Sequence, residues 1–142
     1  MKKNEIKLSI RQLQVILRFF ATLENSGQVI PNKLWYAIAK NKSKITRILD
    51  PAVEANNALV RQYGTDDENG NTVVLPNNEN YEKWRSESKE LEDTIESIDP
   101  YKIAYEELDK INGLKAIPGI LDFYDHFVEE PEEEPNPNPV EK

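Results

Sequence analysis

The sequence predicts a mainly α-helical fold: an antiparallel helical hairpin with a small β-hairpin or flap at its tip, flanking helices and an acidic tail. Three observations predict it. Large apolar residues recur at steps of three and four through most of residues 9–127. An Asn-Gly turn signal separates the two longest such runs. From Glu129 onward the chain changes to glutamate and proline.

Residues 4–8 alternate polar and apolar, as a short edge strand or the entry to a helix would. Ser9 and Gln12 have the spacing of a capping box, with side chain and backbone exchanged in both directions. Ile10, Leu13, Ile16, Leu17, Phe20 and Leu23 then mark a first helix, ended by Asn25-Ser26-Gly27. Asn32 is the expected cap of a second helix running to Gly64. Its stripe is Leu34, Ile38, Ile45, Ala52 and Leu59, with Leu49, Asn56 and Tyr63 at complementary steps. Pro51 removes a donor and crowds the preceding turn, so a bend rather than a reversal is expected there.

Residues 64–77 connect this helix to the next. Asn69-Gly70 reads as a turn and Val73-Val74-Leu75 as a strand. A seam helix is expected over 78–98, from Tyr81, Trp84, Ser88, Leu91, Ile95 and Ile98 on a charged background. Residues 45–63 are expected to pack antiparallel on it. Ile45, Leu49, Ala52, Leu59 and Tyr63 would then face Tyr81, Trp84, Leu91, Ile95 and Ile98. Residues 101–116 are ambiguous. Pro118 opens a last helix with an apolar face of Ile117, Ile120, Leu121, Tyr124 and Phe127. The domain reading is one helical domain over 1–128 and a disordered acidic, Pro-rich tail over 129–142. That tail holds six acids and four prolines, too little apolar surface to offset ordering.

Composition narrows the function. There are no cysteines, hence no disulfide framework and no thiolate metal site. No apolar run approaches the roughly 20 residues a bilayer-spanning helix needs. The net charge of −8 is divided unevenly: residues 1–50 carry +7 and residues 51–142 carry −15. Such a division either orients subunits head to tail through complementary fields or only keeps the protein soluble.

Catalytic chemistry finds little support. His126 follows Asp125, but neighbours on a helix diverge by about 100°, which defeats a dyad. Asp66, Asp67, Glu68, Asn69 and Asn71 surround Gly70 as calcium ligands could. A calcium loop started at Asp67, however, has Thr72 where glycine belongs and Asn78 where glutamate belongs. No catalytic, cofactor or metal residues are expected. Lys40, Lys44 and Arg47 share one helical face near Trp35. This basic stripe suits an acidic protein partner better than nucleic acid, since no base-reading motif accompanies it.

The order of these features resembles a family of small proteins of unknown function from tailed bacteriophages and prophages. The resemblance runs over roughly 33–127. It is carried by Ala39-Lys40-Asn41-Lys42, Tyr63-Gly64-Thr65-Asp66-Asp67-Glu68-Asn69-Gly70-Asn71, Asn80-Tyr81-Glu82 and Ile117-Pro118-Gly119-Ile120-Leu121. It implies a virion component or assembly factor, in the virion or host cytoplasm, with other phage structural proteins as partners. Copies of the chain could form a homo-oligomer or ring through tail contacts with Lys40, Lys44 and Arg47 of a neighbour. The alternative is a small phage-encoded regulator binding a host protein or nucleic acid.

Overall fold

The computed structural model describes residues 5–108, 111 and 117–129. The capping box forms: Gln12 N–H donates to Ser9 Oγ at 3.1 Å, and Ser9 N–H donates to Gln12 Oε1 at 3.0 Å. It joins strand β1 (Ile6–Ser9) directly to helix α1 (Ile10–Glu24). Helix α2 (Asn32–Tyr63) follows and continues through Pro51 without reversing. Pro51 is exposed while Ala52 is buried, so the ring points to water and the packing face stays intact. Asn32 is the first helical residue rather than the expected cap, and no side chain caps this end.

At about 1.5 Å per residue, the 32-residue α2 is roughly 48 Å long. Its buried residues run from Leu34 to Ala52 and stop there. The remaining third forms an arm with strands β2 (Thr65–Asp66) and β3 (Thr72–Val73) and helix α3 (Tyr81–Glu92). The two strands pair antiparallel, Thr65 with Val73 and Asp66 with Thr72. Asp67 organises their turn. Its Oδ1 accepts the N–H groups of Asn69 and Asn71, each at 2.9 Å, and Gly70 takes φ +81°. A positive φ is tolerated by glycine because it has no Cβ. Helix α3 packs on α2, yet none of its residues is buried.

The expected seam helix is shorter than 78–98. It ends at Glu92, and Ile95 and Ile98 belong instead to strand β4 (Ile95–Ile98). The reason lies at the other end of the chain. Strand β1 pairs antiparallel with β4, Ile6 opposite Ile98 and Ser9 opposite Ile95, and Ile10 N–H extends the ladder to Thr94 O at 2.9 Å. This pairing outcompetes further helix, aided by the β-branched Thr94 and Ile95. The pleat then sends Ile98 into the core beside Leu8 and turns Ile95 outward at 56% exposure.

The core lies in the body, between α1, the first two-thirds of α2 and helix α5 (Ile120–Phe127). Ile45, Leu49 and Ala52 are buried there, with Leu91 at its edge, so they do not meet a dry seam along α3. Phe19 stacks on Phe123 at 4.6 Å between centroids, and Phe20 meets Phe123 and Phe127 edge-on at 5.6 and 6.2 Å. The last helix therefore buries Phe123 and Phe127. Leu121, expected on its apolar face, is 75% exposed. Gly119 allows the approach to α1. It has φ +92°, and a Cβ there would lie 3.1 Å from Val15 and 3.2 Å from Phe19.

Strand β5 (Ile103–Ala104) leads into the short helix α4 (Tyr105–Leu108) and pairs parallel with strand β6 (Val128–Glu129), Ala104 opposite Glu129. Most of the ambiguous stretch after Leu108, and the expected disordered tail beyond Glu129, lie outside the described residues.

Candidate interaction surface

Two half-exposed tyrosines from distant parts of the chain meet on the body. Tyr36 on α2 is 55% exposed and Tyr101 is 40% exposed, with ring centroids 5.6 Å apart in an edge-to-face contact. Tyr101 is held from below. Asn41, fully buried one turn along α2 from Ala37, donates Nδ2–H to the Tyr101 carbonyl at 2.9 Å and accepts the Tyr101 N–H on Oδ1 at 2.8 Å. An amide presents a donor and an acceptor side by side, so it can pair with one residue's backbone as a strand neighbour would.

Beside the tyrosines lies a groove of about 520 Å³. Its walls include Lys33 and Tyr36 from α2, Tyr101 and Lys102 from the segment before β5, Glu107 of α4 and Glu129 of β6. Lys102 Nζ donates to the carbonyl of His126 at 3.2 Å, which fastens this wall to α5. Lys40 places its ammonium 5.6 Å from the Tyr36 ring centroid, a cation–π contact that leaves the charge at the surface. Trp35, 38% exposed, widens the apolar area on α2.

The expected basic stripe is only partly a free surface. Lys44 Nζ donates to the carbonyl of Asp99 at 2.6 Å and is half-buried, so its charge helps hold the turn after β4. Arg47 stays exposed further along α2, lining a shallow hollow with Pro51 and Leu91. Lys42, two residues before Lys44, pairs with Glu24 of α1 at 2.9 Å. The structure thus joins Lys40 to the tyrosine groove, leaves Trp35 exposed on α2 beside Tyr36 in sequence, and ties Lys44 to the fold.

The seam residues are more dispersed. Tyr81 and Trp84 are half-buried on α3 with centroids 5.7 Å apart. Trp84 Nε1 is buried without an acceptor among the described residues. Tyr63 closes the arm by donating its hydroxyl to Glu87, and Asn78 Nδ2 donates to the Tyr63 carbonyl at 2.8 Å. The bond to Glu87, then desolvation, holds the Tyr63 phenol above its ordinary pKa. His126 is half-buried, its Nδ1 2.9 Å from the Asp122 carbonyl. Among the described residues no group of three His, Cys, Asp or Glu could hold a metal, and no helix is long and apolar enough to cross a membrane.

Sequence reasoning missed Asn41 and, with it, the pairing of Tyr36 with Tyr101. The signal was present. Asn41 falls three residues after Ile38 and four before Ile45, squarely on the buried stripe of α2. A polar residue at such a position must have a partner.

Fold and surface together define a mainly helical protein with an exposed aromatic and basic face. No protein-family model matches the chain, and no curated protein or solved structure shows significant similarity to it.

Proposed function

We propose that the chain is a non-enzymatic bacteriophage structural or assembly protein that works through protein–protein contacts made by the Trp35–Tyr36–Tyr101 face. One observation carries the contact reading: large aromatic rings stand exposed beside lysines on a backbone that Asn41 fixes in place. Rigid aromatic side chains rimmed by charge supply binding energy at little entropic cost. The phage setting rests on the sequence resemblance. The finer architecture belongs to this reading as well. The arm of α2, the β2–β3 turn and α3 acts as an antiparallel hairpin projecting from the body. The division of +7 and −15 along the chain supports partners, including further copies, that meet it head to tail.

The test is composition of purified phage particles. The protein should be present at fixed stoichiometry, and Trp35→Ala with Tyr36→Ala should abolish incorporation while leaving the melting temperature near wild type. Absence from particles and from assembly intermediates would overturn the reading. The exposed Lys40 and Arg47 favour the second reading, a regulator that binds a host protein or nucleic acid. Host-protein capture or salt-sensitive DNA binding, lost on Lys40→Glu with Arg47→Glu, would support it.

A further inference from the structure

The outer side of α2 along the arm carries two charges that nothing in the described chain answers. Glu54 and Arg61 are exposed and stand two turns apart on one face of the helix, with exposed Ala58 between them. Neither joins an ion pair among the described residues. Their own helix offers no help. One turn from Glu54 the only charged residue is Asp50, of the same sign, and one turn from Arg61 there is none.

We propose that this face is a two-fold interface between copies of the chain. Helix α2 packs antiparallel on α2 of a second copy, Glu54 of each lies opposite Arg61 of the other, and Asn57 and Ala58 flank the axis. This goes beyond the contact reading, whose Tyr36 lies about 27 Å back along the same helix.

Charge argues for a second copy as the occupant. A two-fold axis between Asn57 and Ala58 sets position 54 opposite position 61 at both ends, so the face is its own complement. Moving the axis toward the body, until Glu54 meets Arg47, would set Lys40 against Arg61. The centre suits close approach. Residues 55–60 carry no charge, and Ala58 is small enough for helix axes to come within about 8 Å.

The surroundings leave room. Leu59, Val60 and Tyr63 are half-buried, and Tyr63 bonds Glu87, so α3 covers their side of α2. Positions 54, 58 and 61 point the opposite way. The buried stretch of α2 stops at Ala52. With the axis placed as above, Ala52 is level with Tyr63 of the second copy, where that helix ends. On the outer side Ser43, Thr46, Arg47 and Asp50 remain exposed, so the body raises no wall against the incoming arm.

The pair would be a spacer. Its bodies sit at opposite ends, and its two Tyr36 residues are about 65 Å apart along the joined helices. A partner array could then be gripped at two points, with the gain in avidity that this brings.

The test is sedimentation equilibrium of the full-length chain at low salt. The wild type should dimerise, and raised salt should loosen the dimer. Glu54→Arg and Arg61→Glu each set like charges opposite one another, so each alone should weaken association by at least about tenfold. An equimolar mixture of the two variants should regain it, because a base again meets an acid at both ends. The double variant should regain it as well. Both residues are exposed, so circular dichroism and melting should stay near wild type. A wild type that stays monomeric to about 1 mM would overturn the proposal. So would single variants that associate as the wild type does, or a mixture no tighter than its components. Loss on Arg61→Glu without any effect of Glu54→Arg would move the contact to Asp50 and overturn this register. Tyr36→Ala should leave association unchanged. Loss there would place the dimer contact on the tyrosine face and overturn the arm interface.

Discussion

The carboxamide of Asn41 and the backbone of Tyr101 are joined by two opposed hydrogen bonds, 2.8 and 2.9 Å long, across 60 residues of sequence. Asn41 is the one fully buried polar side chain among the described residues, and these bonds satisfy it. They also fix the Tyr101 ring against Tyr36, so one buried amide sets the shape of the exposed groove. Asn41→Leu should lower stability by about 1–3 kcal/mol, because the Tyr101 N–H and carbonyl lose partners in a partly buried place. Asn41→Asp should cost more, since it keeps only an acceptor and buries a charge. Urea unfolding of both variants checks the order. Asp milder than Leu would show that water reaches the site.

The last helix offers a sharper contrast. Phe123 is wholly buried among Phe19, Phe20 and Phe127, whereas Leu121 projects outward. Phe123→Ala should cost about 3–5 kcal/mol through lost burial and an unfilled cavity. Leu121→Ala should lie within about 0.5 kcal/mol of wild type. Thermal melts of the pair test whether α5 uses the face described.

Asp93 links α3 to α1 and makes stability depend on acid. The hydrogen bond from Lys89, at 2.9 Å, lowers its pKa below the ordinary 3.8, and the charge of Arg11, also at 2.9 Å, adds to this. A lowered carboxylate pKa stabilises the fold at pH values above the unfolded-state value. That contribution is lost as pH falls below about 3.8 and through the folded-state value. The pair is exposed, so salt should shrink the effect. Melting temperatures of wild type and Asp93→Asn, compared between pH 5 and pH 3 at low salt, should converge at the acid end. Parallel curves would remove the linkage.

Trp84 carries a cost that its apolar ring offsets. Its indole N–H is buried and unpaired among the described residues. Trp84→Phe removes that donor and keeps an aromatic ring against Tyr81, so stability should hold or rise by up to about 1 kcal/mol. A loss above about 2 kcal/mol would mean that packing volume, not the donor, dominates the site.

Local chemistry was readable in the sequence; long-range competition was not. The Ser9–Gln12 box, the Asp67–Gly70 turn and the main helical stripes depend on residues a few positions apart, and the structure forms each of them. The end of α3 depends on Ile6–Ser9, some ninety positions away, which claim Ile95–Ile98 as strand. No periodicity within 78–98 could report that. At α5 the expected Ile117, Ile120, Tyr124 and Phe127 do pack on the core, but Leu121 was wrongly included and Phe123 was left out. The helix starts only after Gly119, and its buried positions are Phe123 and Phe127. At the candidate surface, Trp35 and Lys40 could be read from the sequence as amphipathic or charged residues. The pairing of Tyr36 with Tyr101 could not, because it depends on how Asn41 is satisfied.

The β1–β4 ladder also has a meaning in time. Joining Ile6 to Ile98 closes a loop of about 90 residues, an entropic cost of roughly 4 kcal/mol before any reward is collected. Helices α1 and α2 need only nearby contacts and can form in microseconds. The first strand of the chain is therefore among the last elements to find its place. During synthesis it must wait until residues 95–98 have been made. Until then Leu8 has no strand partner, and the edge of β1 stays unpaired. A refolding rate that slows on Ile6→Ala or Ile98→Ala would place this ladder in the transition state, whereas faster unfolding alone would make it the final latch.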